Sequence, residues 1–557
     1  MRARFDIGLR AAAALAVAVV MVTVLPLLAP QFTGRFVDDA IAGAGAGRLT
    51  MIALGYLVVA VAGQAARMLT AWLARRAAWD ATNRLRETLA GHALGLDMAY
   101  HGRHTPGEMI ERVDGDVAAI ADFAVAFLLD VVASVLLLGG VLVVVCVIDP
   151  RIGAVLLAYC LLIGYAMTRV QRRAVPSATL VRATDAEMIG TLEERLAGAE
   201  DIRANGAGEH TVNGFYGAAA AWFHAEYRAG WIGSGLVAGT SITFALGTAT
   251  VLGMAAWAQL SAGTAVLLFQ YTMMVRTPFE RLIDQLRQYQ AALAGFARVR
   301  ALLSEQRTLP APADPRPLPG GALGLEIDHV GFAYDGAFEV LTDVALTLAP
   351  GQTLGLVGRT GSGKTTIGRL ILRLYDPGRG AVRVGGIDLR EADPASLRRR
   401  VCAVTQDVQL FAGTVRDNLT LFRPLADDDR LRAALAEVGL DGWDLDMRLD
   451  GQAFSAGEAQ LLAFARALLA DPGLVVLDEP SSRLDPATER SVERSVERLL
   501  AGRTGVLIAH RLSSLSRVDA VAVVEGGRIV ECGPREALLG DPASRFSRMH
   551  GLAEAAR

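Results

Sequence analysis

Lysine is almost missing from this 557-residue chain: of its 55 Lys plus Arg residues, 54 are arginine and Lys364 alone is lysine. A lysine that survives such a bias marks chemistry that needs a compact ammonium, which a planar guanidinium does not supply. Cysteine is scarce as well. Cys146, Cys160, Cys402 and Cys532 show no C-x-x-C spacing, which speaks against a zinc site or a disulfide framework and leaves core thiols. Excess charge of either sign is also missing. With a formal net charge of −3 and a pI near 6.3, the chain has no basic field to collect DNA or RNA, and nucleic acid is set aside as a partner. Aromatics are few at 6%, yet 52% of residues are hydrophobic and mean hydropathy is +0.35, more apolar than ordinary soluble domains.

That apolar content is gathered at one end. The length exceeds what one hydrophobic core supports, so more than one domain is expected. Runs of about 20 apolar residues, enough to cross roughly 30 Å of hydrocarbon, lie near 11–30, 51–74, 123–148, 152–170, 232–257 and 262–284. The first exceeds a signal-peptide core in length and is followed by further spans, so it is expected to stay as a membrane anchor. Arginines crowd the segments between spans two and three (Arg75, Arg76, Arg84, Arg86, Arg103, Arg112) and between spans four and five (Arg169, Arg172, Arg173, Arg182, Arg195, Arg203, Arg228). The positive-inside rule then makes both termini cytoplasmic. The opposite connections, Asp149-Pro150 and 259–263, are short. Gln64, Arg67, Asp130, Gln270 and Arg276 could line a substrate path, or the charged ones could sit solvated near the inner ends. A Pro/Gly-rich stretch, "RTLPAPADPRPLPGG" at 307–321, ends the sixth span and separates two compositions. The expected division is a transmembrane domain at 1–306, a linker at 307–322 and a third segment at 323–557.

Beyond the linker, short apolar runs alternate with helical patterns, the mark of an α/β domain. In "TLGLVGRTGSGKTTIGRLIL", residues 353–372, an apolar strand pattern runs into a glycine-rich turn and then a helix. The spacing from Gly358 through Arg359, Thr360, Gly361, Ser362, Gly363, Lys364, Thr365 and Thr366 is that of a phosphate loop. Its glycines let backbone N–H groups wrap an anion, and the helix start adds partial positive charge. The sole lysine falls where such a loop places an ammonium on the β- and γ-phosphates, and Thr365 offers a hydroxyl to Mg²⁺. In "LVVLDEP", residues 474–480, a buried strand delivers Asp478 to its C-terminal end, where it can hold the Mg²⁺ shell. Glu479 follows, a carboxylate placed to polarise an attacking water.

Taken together these motifs resemble the ATP-binding cassette (ABC) family, specifically exporter-type half-transporters, over nearly the whole chain to about residue 548. The resemblance implies an all-α transmembrane domain of six helices followed by an α/β P-loop NTPase domain, a multi-pass protein of the cytoplasmic membrane, and an ATPase coupled to transport. It also implies roles for weaker motifs: Tyr334 of "GFAY" stacking on adenine, Gln406 of "VTQD" sensing Mg²⁺ and water, Asp485 of "SSRLD" facing a dimer partner, and His510 of "IAHRLS" as a switch. Two cassettes are expected to sandwich two ATP molecules, each site joining one chain's phosphate loop to the other's signature, Ser455 and Gly457 here. Segments 100–113 and 194–209 are expected to carry the short helices that touch the cassettes. The signature departs from the family pattern L-S-G-G-Q. It reads Phe454-Ser455-Ala456-Gly457-Glu458, putting a carboxylate where an amide is expected, either to repel a nucleotide or merely to favour a helix start. The altered signature beside a complete phosphate loop, Asp478 and Glu479 favours a heterodimer with a second half-transporter, a homodimer being the alternative. Export is the expected direction. An exporter-shaped importer, such as one for siderophores, and a weakly hydrolysing regulatory subunit are the alternatives.

Overall fold

The computed structural model describes residues 9–334, 336, 338–423, 426–449, 454–478, 486–509 and 512–555. The chain forms two compact units, Met1–Leu94 with Pro106–Glu305, and Gly95–Thr105 with Gln306–Arg557.

The first unit is helical throughout. Its helices are Leu9–Ile41, Ala46–Leu94, a run from Pro106 to Ile148 widened by π-type turns at Glu111–Gly115 and Phe127–Val132, Pro150–Ala197, the short Ala199–Ala204, Gly208–Trp257, Ala262–Met274 and Arg276–Ser304. Three of them have 48 to 50 residues. At 1.5 Å per residue such helices reach about 75 Å, more than twice the hydrocarbon thickness. Among the described residues five helices are long and apolar enough to cross a membrane. The sixth expected span, 262–284, is helical but breaks at Val275. Pro278 supplies the reason: it has no N–H for the carbonyl of Met274, and its ring crowds that carbonyl.

Asp149 caps the tight turn into Pro150–Ala197 by accepting the Arg151 N–H at 2.7 Å, and Ser261 caps Ala262–Met274 through the Thr264 N–H at 3.1 Å. The helices share a core of Val141, Ile152, Leu156, Val251, Leu268 and Tyr271, whose hydroxyl donates to the Leu27 carbonyl at 2.6 Å. The polar residues singled out in the spans are mostly paired within the unit. Arg67 donates to Gln64 at 3.0 Å, Gln285 donates to Asp130 at 3.0 Å, and Arg276 meets Glu280 at 2.8 Å.

Among the described residues the second unit holds twelve strands: β1 Leu325–Phe332, β2 Leu341–Leu348, β3 Thr353–Val357, β4 Arg379–Val384, β5 Ile387–Asp388, β6 Val401–Val404, β7 Gly413–Thr414, β8 Arg448–Leu449, β9 Leu474–Asp478, β10 Thr504–Ile508, β11 Ala520–Glu525 and β12 Arg528–Pro534. The central sheet runs β12-β11-β3-β10-β9-β6, parallel except for the β11–β12 hairpin. Strands β3, β9 and β10 are nearly unbroken apolar runs because both faces are covered. An antiparallel sheet, β2-β1-β4-β5, shares one core with the helix Lys364–Ile371. A second core gathers the helices Asp428–Val438 and Ala456–Ala470.

The Pro-rich stretch is not a free linker. Arg373 donates to the Pro310 carbonyl at 2.9 Å, the Arg316 N–H donates to the Glu391 carbonyl at 2.9 Å while the Arg316 carbonyl accepts the Asp393 N–H at 2.8 Å, and Ser396 accepts the Leu318 N–H at 3.0 Å. Proline removes N–H donors but leaves carbonyls, and arginines of the cassette collect them. Residues 95–105 also belong to this unit, although the expected transmembrane domain of 1–306 contained them. Asp97 accepts the Thr308 N–H and, at 2.9 Å, the Leu309 N–H. Arg307 donates to the Gly95 carbonyl at 2.7 Å, and the Tyr375 hydroxyl to the Met98 carbonyl at 3.2 Å.

Candidate nucleotide-binding site

Strand β3 ends at Val357, and the chain then curls through Gly358, Arg359, Thr360, Gly361, Ser362 and Gly363 before the helix begins at Lys364. The glycines are required by geometry. Gly358 has φ +153 and a Cβ there would lie 2.1 Å from the Val524 carbonyl; Gly363 has φ +104 and a Cβ would meet Leu341 Cδ2 at 2.5 Å. The Lys364 side chain folds back across the curl, only 4% exposed, with Nζ donating to the carbonyls of Gly358 at 2.8 Å and Arg359 at 3.1 Å. Among the described residues, Ser362 Oγ is buried in the same curl without a hydrogen-bond partner. A loop of N–H groups, a buried ammonium and an orphaned hydroxyl at a helix start suit a polyphosphate.

The sheet brings the other expected groups to the same edge. Ile508 of β10 is registered with Leu356 of β3 on one side and Asp478 of β9 on the other, so Gly358 and Asp478 stand at the C-terminal ends of the two strands that flank β10. Leu477 pairs with Val404, and Gln406 is exposed two residues beyond β6. Thr365 is exposed in the first turn of Lys364–Ile371. A hydroxyl and a carboxylate at the mouth of a phosphate loop are a hard oxygen donor set, which fits Mg²⁺. Glu479, Asp485 and His510 lie outside the described residues; their chain neighbours Asp478 and Ala509 are at the strand ends.

Tyr334 follows β1. Its ring meets Phe332 and Tyr375 edge-on, with centroids 4.8 and 5.1 Å away, and its hydroxyl lies 3.1 Å from Thr366 Oγ1. Arg369, which the sequence reading passed over, donates to that hydroxyl at 3.0 Å. Only its spacing, five residues past the lysine on the same helix, could have drawn notice.

Ser455 and Gly457 open a different helix, Ala456–Ala470, whose packing belongs to the second core. Ser455 is the N-cap. Its N–H and hydroxyl both donate to Glu458 Oε2 at 2.9 Å, and its oxygen accepts the Glu458 N–H at 3.2 Å. Glu458 is thus the acidic partner of a capping box. Its carboxylate already occupies the groups that a signature serine would offer to a phosphate.

The family profile of the ABC transporter transmembrane region matches residues 13–279, and the ABC transporter profile matches residues 341–482. A fatty acid ABC transporter ATP-binding/permease protein of Mycobacterium bovis is 30% identical over 469 residues, covering 82% of this chain and 74% of the relative. The chain belongs to the ABC transporter family. A multidrug efflux ATP-binding/permease protein of Mycobacterium bovis is 34% identical over 489 residues, 84% of this chain and 40% of that longer relative. The fold is that of a bacterial Atm1-family ABC exporter with ATP bound, at a TM-score of 0.79 and 22% identity, covering 97% of this chain and 98% of the other. This ABC transporter therefore joins a helical transmembrane domain and an α/β cassette in one chain, with the fold of that exporter. Its cassette binds ATP and couples ATP hydrolysis to transport, and like its family it works as a dimer in a membrane.

Proposed function

We propose that this chain is one half of an exporter in the cytoplasmic membrane, with both termini and the cassette on the cytoplasmic side and cargo moved outward. The observation that carries the reading is the phosphate loop: the chain's one lysine, buried, held against the Gly358 and Arg359 carbonyls at the edge shared with Asp478. Lys364 would exchange those carbonyls for phosphate oxygens, while the N–H groups of the loop and Ser362 Oγ take the remaining acceptors. Thr365, Gln406 and Asp478 would hold Mg²⁺, which when bound neutralises phosphate charge during transfer. Glu479 orients and polarises the attacking water, and His510 and Asp485 link the site to the opposing cassette. Arginine in the long inner segments supports the orientation. The relative described as a multidrug efflux protein favours outward movement, and the one described as a fatty acid transporter favours an amphiphilic cargo.

Ser455 and Gly457 sit on another core from the phosphate loop, so a second cassette would complete each site. Because Glu458 holds Ser455, a partner with a standard signature would complete the faster site with this chain's Glu479, and the favoured assembly is a heterodimer with a second half-transporter. The test uses the chain alone and the chain co-expressed with any half-transporter encoded beside its gene, each wild-type or Glu479→Gln. The substitution is expected to keep ATP binding and abolish turnover. Wild-type turnover in the Gln variant would refute the role of Glu479. Full substrate-stimulated ATPase from the chain alone would refute the heterodimer.

A further inference from the structure

Arg369 reaches the base-side aromatic from the phosphate-loop helix. It lies on Lys364–Ile371, its side chain is exposed, its guanidinium carbon stands 5.8 Å from the centroid of the Tyr334 ring, and Nη1 donates to the Tyr334 hydroxyl at 3.0 Å. The phenol oxygen accepts from Arg369 and also shares a hydrogen bond with Thr366 Oγ1, 3.1 Å away on a residue 6% exposed, in which either hydroxyl can donate. Two residues of one helix therefore hold one hydroxyl, and the edge contacts of Phe332 and Tyr375 hold the ring. A ring fixed at four points loses little freedom when a planar partner stacks on it, which raises affinity for that partner.

We propose that Arg369 is a positioning residue for nucleobase recognition: with Thr366 it locks Tyr334 to the phosphate-loop helix, so that base and phosphates are gripped by one rigid element. The proposal rests on the nucleotide reading above and extends it to a residue that touches no phosphate. Tyr334 follows a strand of the antiparallel sheet, while Lys364 and Thr365 belong to the helix under the parallel one. The Arg369–Tyr334–Thr366 relay is a direct side-chain tie between them.

The experiment titrates ATP and inorganic tripolyphosphate, each with Mg²⁺, into the full-length transporter in lipid nanodiscs, as wild type, Arg369→Ala, Arg369→Lys and Tyr334→Phe. Loss of one hydrogen bond and one cation–π contact is expected to raise the Kd for ATP about fivefold in Arg369→Ala. Tripolyphosphate binding should be unchanged, since it has no base. Lysine, which can still donate to the phenol, should restore most of the affinity. Tyr334→Phe should weaken ATP similarly, and the double variant should be no worse than either single one. In turnover, KM for ATP should rise with kcat unchanged. Equal losses for ATP and tripolyphosphate would make Arg369 a phosphate or folding residue and overturn the proposal. Unchanged or tighter ATP binding in Arg369→Ala would overturn it too. A wild-type protein that binds neither probe would overturn the nucleotide reading itself and, with it, this proposal.

Discussion

Replacing Glu458 by glutamine should accelerate ATP hydrolysis. Glu458 Oε2 accepts from both Ser455 N–H and Ser455 Oγ at 2.9 Å, and any phosphate engaging Ser455 must compete for those donors. A hydrogen bond to a charged acceptor contributes about 1.5–3 kcal/mol and a neutral one about 0.5–1.5, so an amide holds Ser455 more weakly by about 1–2 kcal/mol. Glutamine at this position still closes a capping box, so the helix Ala456–Ala470 keeps its start. The carboxylate also repels: a phosphate oxygen bonded to Ser455 would stand about 5 Å from it, a penalty of about 3 kcal/mol per unit charge at an effective dielectric of 20. Screening and relaxation reduce this second effect, and the first alone corresponds to about a 5- to 30-fold change in rate. The assay is ATPase activity at saturating ATP for the chain purified alone, where each composite site receives this signature. Glu458→Gln should run about 5–30-fold faster and lose up to about 1–2 kcal/mol of stability as its half of the capping box weakens, and Glu458→Ala should lose at least as much, Ser455 remaining as the N-cap. A rate within twofold of wild type for a Glu458→Gln protein that is folded at the assay temperature would refute the competition argument.

Lys364→Arg is expected to lower ATPase activity by about two orders of magnitude, because a guanidinium cannot replace a compact ammonium in so enclosed a curl; steady-state turnover at saturating ATP checks this, and near-normal activity would make the single lysine an accident of composition. Asp97→Asn should weaken the fastening of residues 306–310 to segment 95–105, since the carboxylate accepts the N–H groups of Thr308 and Leu309. Hydrogen exchange at those two amides should rise about tenfold, and unchanged protection would show that other contacts hold the segment.

Much of this protein can be read without its coordinates. Spans, arginine asymmetry, the phosphate loop and the strand ending in Asp478 rest on hydropathy, periodicity and local spacing, which are properties of consecutive residues. Gly358 and Gly363 belong with them, because a glycine-rich turn between strand and helix implies close approach before the approaching atoms are known. The break after Met274 was also present in principle, in Pro278, but a span defined by apolar length alone overlooks one missing donor. What tertiary structure decided are the pairings between distant residues. Whether Glu458 repels a ligand or caps a helix depends on its rotamer as well as its type, and the structure has it holding Ser455. The Pro-rich stretch looked like a spacer because its side chains form no pattern; it is docked through backbone carbonyls collected by Arg373 and Arg400. Asp97 meets Thr308, and Arg369 meets Tyr334, across 211 and 35 residues. Hydrogen bonds of that separation leave no local periodicity, so only the folded chain reveals them.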